Sequence, residues 1–183
     1  MLYAFGFEQV SVLVSDLYFI DPDPLEGQET PERGVRLEVR LLERGDLKGS
    51  IYSAQPIGIG QPVWRADLLE SVDSEPGSLD RVHHHPQMRN WEPGHRVFEP
   101  ELSAHPAAWV GERLSDLPSL LEQADIPMDE AFARDAVSLR DSAGEIMDTV
   151  DRLLDRVKKG ELARGPDSGP GSAPLISARI GWL

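Results

Sequence analysis

The hydrophobic periodicity of this chain changes once along its length, and that change restricts the fold more than any other feature. Between residues 35 and 41, valine and leucine alternate with charged residues, which is the two-residue repeat of a half-buried β-strand. Between residues 129 and 159 the spacing becomes four and three, which predicts a long helix with one apolar face. Strand patterns that precede helix patterns, without alternation, indicate an α+β fold.

Five segments in the first half of the chain are rich in β-forming residues. They are residues 7–20, 35–41, 48–55, 63–69 and 79–85. We expect about six strands over the mainly β part, 1–98, and a hairpin through the turn at Gly45 that joins the second segment to the third. Pro56 and Pro62 break the pattern after that hairpin. Strands without intervening helices predict an antiparallel sheet or a small, partly closed barrel.

The mainly α part, 104–162, is expected to begin its helices near Pro106 and to end them at Gly160. The long helix has a continuous seam of apolar residues that either packs on the sheet of its own chain or on a second chain. The seam consists of Phe132, Ala136, Leu139, Ala143, Ile146, Val150, Leu153 and Val157.

The domain organisation follows from these patterns. We predict a single α+β domain over 1–163 and a flexible linker over 164–174, where glycine, proline and serine dominate. The segment 175–183 is apolar and contains Trp182, so we expect it to dock as a strand on a sheet edge.

The charge of the chain excludes some partners. It carries 18 basic and 32 acidic residues, a formal net charge of −14, without a cluster of lysine or arginine. A nucleic acid or an anionic membrane needs a basic face, so neither is an expected partner. Cysteine is absent, which excludes disulfides and thiolate metal sites. The first residues lack the basic and apolar regions of a signal peptide, so we expect a cytoplasmic protein.

One segment combines residues that bind metals. Four of the five histidines lie between His83 and His95. On an extended strand, His83 and His85 share one face while His84 faces the other way. Glu92 or His95 could supply a third ligand after the turn at Pro86, and three protein ligands with one open position are the pattern of catalytic zinc. The predicted metal ligands are therefore His83, His85, Glu92 and His95, with zinc as the expected ion.

The same segment partly resembles the first motif of the cupin family. That motif places a glycine five residues before a His-x-His pair, followed by a glutamate and a glycine. Gly77, His83, His85, Glu92 and Gly94 occur in that order here. The chain departs from the motif because six residues separate His85 from Glu92, where the family has three or four, and because a second cupin motif is absent. The resemblance covers only about 18 residues.

A second group of polar residues lies one candidate strand earlier. Arg65 and Asp67 share a face, and a hairpin through residues 73–78 would bring them close to the histidines. Asp67 and Glu92 are the candidate catalytic carboxylates, acting as general base or as a partner of a histidine. A small anionic ligand is expected to bind the arginines and the tryptophan of this region. These predicted ligand-binding residues are Arg65, Arg81, Arg89, Trp91 and Arg96.

Two classes of function remain open at this point. The first is a small-molecule-binding protein, with a metal-dependent enzyme as its catalytic form, whose site lies at residues 83–95. Two other interpretations of the same histidines remain open. The pocket could bind its ligand without metal, or the histidines could only form structural hydrogen bonds. The second class is a non-catalytic interaction protein, a homodimer built through the long helix and the C-terminal strand.

Overall fold

The computed structural model describes residues 1–24 and 26–166, and it contains an antiparallel sheet of five strands followed by a helical part. The sheet strands are β1 (Leu2–Gly6), β2 (Val10–Phe19), β3 (Glu32–Arg44), β4 (Ile57–Ser71) and β5 (His83–His85). A separate two-stranded ribbon consists of β6 (Met88–Arg89) and β7 (Glu92–Pro93). The helices are α1 (Pro100–Ala104), α2 (Pro106–Leu114), α3 (Leu117–Gln123) and α4 (Glu130–Lys158).

The strands of the sheet follow one another in chain order, β1-β2-β3-β4-β5. Each strand is antiparallel to its neighbour, and β1 and β5 form the two edges. Among the described residues the sheet is therefore open, so the predicted antiparallel sheet is confirmed and the alternative of a partly closed barrel is not. A strand of three residues such as β5 offers too few backbone groups to close a barrel against β1.

The predicted hairpin partner of β3 was wrong. Residues 48–55 form turns and bends, and Ile51 and Tyr52 are exposed to 82% and 91%, so their β-forming side chains have no layer to pack on. The partner is β4, which begins at Ile57 and continues through Pro62. The register of the β3–β4 pair shifts next to Pro62, and a proline without an N–H is tolerated at such an irregularity.

The core lies between one face of the sheet and the helices. Alternate residues of β3, namely Val35, Leu37 and Val39, are fully buried and belong to the same apolar cluster as the seam of α4. Seven of the eight seam residues are buried and Phe132 is half-buried, so the sheet of the same chain covers the seam. The sequence left open whether the seam packs on its own sheet or on a second chain, and in this structure it packs on its own sheet.

A buried carboxylate fastens α4 to the sheet. Asp135 accepts hydrogen bonds from the backbone N–H groups of Glu8, Gln9 and Val10, at 2.8, 2.6 and 3.0 Å. These donors lie in the turn between β1 and β2 and at Val10, the first residue of β2. Because a buried carboxylate is stable only with such partners, Asp135 defines how the helical layer sits on the sheet.

Two further points concern membrane-spanning helices and the C-terminal residues. None of the helices among residues 1–24 and 26–166 combines the length and the apolar character that a membrane-spanning helix requires. The segment 175–183 with Trp182, predicted to dock on a sheet edge, lies outside the described residues, as does the predicted linker beyond residue 166.

Candidate metal centre

The register of β4 and β5 brings a carboxylate and two histidines together. Asp67 is paired with His83, and Arg65 with His85, on the face of the sheet opposite the helices. The predicted hairpin between these two segments is confirmed. His84 points to the other face, also as predicted, because successive strand residues alternate.

Three potential ligand atoms converge at this position. The Oδ2 atom of Asp67 lies 3.4 Å from Nε2 of His83 and 3.5 Å from Nε2 of His85. The three side chains are buried, and their ligand atoms all lie within 4.8 Å of one another. Ligands at 2.0–2.1 Å from a tetrahedral zinc ion are about 3.3–3.4 Å apart, so the separations of Oδ2 of Asp67 from the two Nε2 atoms fit a shared ion.

The outer nitrogens of the two imidazoles determine which tautomer is present. Nδ1 of His83 donates to the carbonyl of Arg81, and Nδ1 of His85 donates to the carbonyl of Gly94, each at 2.8 Å. A carbonyl oxygen only accepts, so in a neutral ring the proton is on Nδ1 and the lone pair is on Nε2. Metal-binding histidines are oriented in this way, and here both lone pairs face Asp67.

Asp67 is ionised and strongly held. Its side chain is 1% exposed, and Arg36 donates to Oδ1 at 2.6 Å and to Oδ2 at 3.4 Å. Burial alone would raise the pKa of Asp67, but the charge of Arg36 and then that of Arg65 lower it, and the pKa is held well below its ordinary value. A carboxylate that stays charged when buried is a suitable ligand for a cation.

Arg65 lies against two of the three ligand atoms. Its Nε is 2.9 Å from Oδ2 of Asp67, and its Nη2 donates to Nε2 of His85 at 2.8 Å. This donation is consistent with a neutral His85, whose pKa is lowered chiefly by burial. The guanidinium therefore neutralises the site in this structure, and a metal ion would have to replace its contacts with His85 and Asp67.

The three residues line a cavity of about 860 Å³ on the open face of the sheet. The loop after β2 and residues 92–98 form its other walls. A backbone bridge between His84 and Val97 fixes the second wall to the edge of β5. Arg96 joins the two walls, because it contacts Asp21 at 2.7 Å and Glu32 at 3.4 Å.

The charge of the cavity favours a cation. Among the described lining residues, five carboxylates stand against three guanidinium groups, so the formal charge is −2 with neutral histidines. Each of these guanidinium groups already contacts a carboxylate. A divalent ion would bring the lining to neutrality. The acidic residues are Asp21, Asp23, Glu32, Asp67 and Glu92, and the basic residues are Arg36, Arg65 and Arg96.

The other predicted metal ligands lie at the rim. Glu92 and His95 line the cavity but are exposed, and neither belongs to the group formed by Asp67, His83 and His85. Asp67, which the sequence suggested as a catalytic base or histidine partner, is the residue that lies against His83 and His85 and completes a group that could hold a metal ion. The partial cupin pattern therefore does not describe this geometry, since its glutamate would be Glu92 and its fold a closed barrel.

The predicted ligand-binding residues separate into two groups. Arg65 and Arg96 line the cavity, whereas Arg81, Arg89 and Trp91 are not part of its lining. Arg81 donates to the carbonyl of Gly27, and the exposed ring of Trp91 lies 5.0 Å from the guanidinium of Arg40.

Sequence reasoning missed two cavity residues on β3. Glu32 and Arg36 are four residues apart on the same strand, so the two-residue repeat already placed their side chains on one polar face. The sequence alone did not show that this face meets Asp67.

His84 has a different role: it is packed between Trp64 and Trp109, and burial is the main reason why its pKa falls to about 4.

Comparisons with protein-family models, with curated proteins and with solved structures find no significant match to this chain.

Proposed function

We propose that this protein binds a divalent metal ion, with zinc as the first candidate, through Oδ2 of Asp67 and Nε2 of His83 and His85. The observation that carries the proposal is the convergence of these three buried atoms, together with the two Nδ1–H groups held by carbonyls. Two histidines and one carboxylate leave further coordination positions open toward the cavity.

The open positions define the ligand class. A small anion would coordinate the ion directly, because the guanidinium groups of the cavity are already paired with carboxylates. This refines the expectation of an anionic ligand: the metal, rather than an arginine cluster, is its main partner. In the catalytic form of the proposal, Asp67, His83 and His85 would hold the ion, and zinc would supply a bound water that ionises near neutral pH.

Metal analysis of protein purified without a histidine tag tests the proposal. We expect near-stoichiometric zinc or another divalent ion, and loss of that ion in the double variant His83→Ala/His85→Ala and in Asp67→Asn. Glu92→Gln and His95→Ala are the matched controls, since both residues lie at the rim and should leave metal content unchanged. Circular dichroism verifies that each variant is folded.

A metal-free network is the second candidate, and one observation favours it. Arg65 already supplies a positive charge to Asp67 and a donor to His85. In this case purified protein contains no metal, and titration with zinc, nickel or manganese produces neither heat nor a thermal shift. The cavity would then bind its ligand through hydrogen bonds alone.

If the protein is instead a non-catalytic interaction protein, the described residues offer one surface for a partner. The seam of α4 is covered, but the outer edge of β1 is unpaired among the described residues, and Met1 and Leu2 are exposed to 53% and 62%. We propose this edge as the contact of a homodimer, since an unpaired edge strand is a template for strand addition. Light scattering at high micromolar concentration tests it, and a mass of 20.3 kDa would refute the dimer.

A further inference from the structure

Glu32 is a buried acidic residue of the cavity with an incomplete set of partners. It is 2% exposed and lines the same cavity as Asp67 and His83. Oε1 lies 3.4 Å from a guanidinium nitrogen of Arg96, and Oε2 has no hydrogen-bond partner among the described residues. Burial raises the pKa of Glu32, although the nearby charge of Arg96 opposes this.

Other buried carboxylates of the described chain are fully engaged. Asp67 contacts two arginines, and Asp135 accepts three backbone N–H groups. Glu70 receives Arg33 on one oxygen and the N–H of Gly77 on the other. A buried carboxylate oxygen without a protein donor costs stability, and beside a cavity the donor can come from a bound ligand or a water molecule.

We propose that Glu32 is a binding residue for the hydroxyl or ammonium group of a small ligand whose other end, a carboxylate, coordinates the metal at Asp67, His83 and His85. This inference rests on the proposed function. The class of ligand is therefore a small carboxylate with a hydrogen-bond donor at a fixed distance from its charged end.

The strand geometry limits that distance. Glu32 and Arg36 are four residues apart on β3, so their Cα atoms are about 13 Å apart, and Arg36 is paired with Asp67. This backbone spacing is an upper guide, and a series of chains of about four to eight carbons searches the lengths below it. Phe19, Leu69 and Phe98 line the cavity and offer an apolar wall to such a chain.

Calorimetry with matched ligand pairs tests the inference. Zinc-loaded protein is titrated with ω-amino carboxylates of four to eight carbons and with the unsubstituted carboxylates of the same length. At one length the amino ligand should bind at least about tenfold more tightly than its partner, because a hydrogen bond to a charged group contributes about 1.5–3 kcal/mol. Glu32→Gln should abolish that preference, with binding of the plain carboxylate unchanged.

Glu38→Gln is the matched control. Glu38 lies on the same strand and pairs with Arg40, but it is not part of the cavity lining, so this variant should keep the preference. If Glu32→Gln fails to fold, Glu32→Asp replaces it: a carboxylate one methylene shorter should move the preferred ligand to the next longer chain.

The outcomes separate this inference from the proposed function. Three results overturn the role of Glu32 and leave the metal site intact. They are equal binding of amino and plain ligands to zinc-loaded protein, no binding by either series, and a preference that survives Glu32→Gln. Loss of the preference in Glu38→Gln overturns it as well. Absence of zinc binding in the untreated protein removes the metal site, and the Glu32 inference with it.

Discussion

Asp67 and His83 face each other across β4 and β5, with 3.4 Å between Oδ2 and Nε2. The carbonyl that holds Nδ1 of His83 belongs to Arg81, two residues earlier on the same segment. The local chain therefore orients the ring, while the strand pairing supplies the carboxylate. Any ion at this position would be bound by two elements that the hairpin between them keeps in register.

Replacing Arg65 by methionine should strengthen metal binding. The guanidinium contacts Oδ2 of Asp67 and Nε2 of His85, and an incoming ion must replace those contacts. Because a charge-assisted hydrogen bond is worth about 1.5–3 kcal/mol, we expect the zinc dissociation constant to fall at least about tenfold. Calorimetric titration measures it. Arg33→Met, which removes a pair with Glu70 outside the cavity, is the control and should not alter zinc affinity.

Replacing Asp135 by alanine should destabilise the whole domain. Three backbone N–H groups in the β1–β2 turn lose their acceptor, and we expect a loss of about 3–5 kcal/mol in the free energy of unfolding. Urea denaturation followed by circular dichroism measures this loss. Asp141→Ala, at an exposed position of the same helix, should change stability by less than about 0.5 kcal/mol. Equal effects of the two variants would contradict the structural role of Asp135.

Gly34 should not tolerate a side chain. A Cβ atom at this position would lie 2.1 Å from the backbone oxygen of Leu68 and 2.9 Å from Cα of Leu69, so β3 and β4 would have to separate. We expect Gly34→Ala to cost about 2–4 kcal/mol, measured by thermal and urea unfolding. Gly144→Ala is the opposite control: its Cβ meets nothing within 4 Å in the interior of α4, and alanine should stabilise the helix by about 0.5–1 kcal/mol.

Acid should remove the contribution of Asp80 to stability. Burial alone would raise the pKa of Asp80, but hydrogen bonds from the N–H of Ser71 and the hydroxyls of Ser78 and Ser74 lower it. A carboxyl whose pKa is lower in the folded state stabilises the protein above its unfolded pKa of about 3.9, and this contribution disappears as the pH falls through the folded pKa. Asp80→Asn should therefore be less stable than the wild type at pH 7, with the difference shrinking below about pH 4. Urea unfolding at several pH values measures it, and a pH-independent difference would argue against this cause.

The elements with local signals were predicted well. The two-residue repeat at residues 35–41 lies within β3, and the seam of residues 132–157 lies within α4. Asp129 caps the N-terminus of that helix by accepting from the N–H of Phe132. The strand at residues 48–55 was wrong because Ile51 and Tyr52 favour strands only when a neighbouring layer covers them.

The candidate site was predicted in part. His83 and His85 were placed on one face from alternation alone, which depends only on backbone geometry. The residue that lies against them was not predicted from the sequence, which favoured Glu92 or His95 because both are close to the histidines in the chain, whereas Asp67 reaches them through strand pairing. A contact between residues 16 positions apart leaves no local signature, although the proposed hairpin pointed to it.

The sequence by itself determined the class of fold, the long helix and the shared face of the two histidines, since each depends on periodicity within one segment. Only the tertiary structure decided that the seam of α4 packs on its own sheet, that Asp67 rather than Glu92 joins the histidines, and that Glu32 is buried beside them. The physical reason is that burial and the choice of partner depend on the register between strands and on the layer that covers them, neither of which is encoded in the spacing of nearby residues.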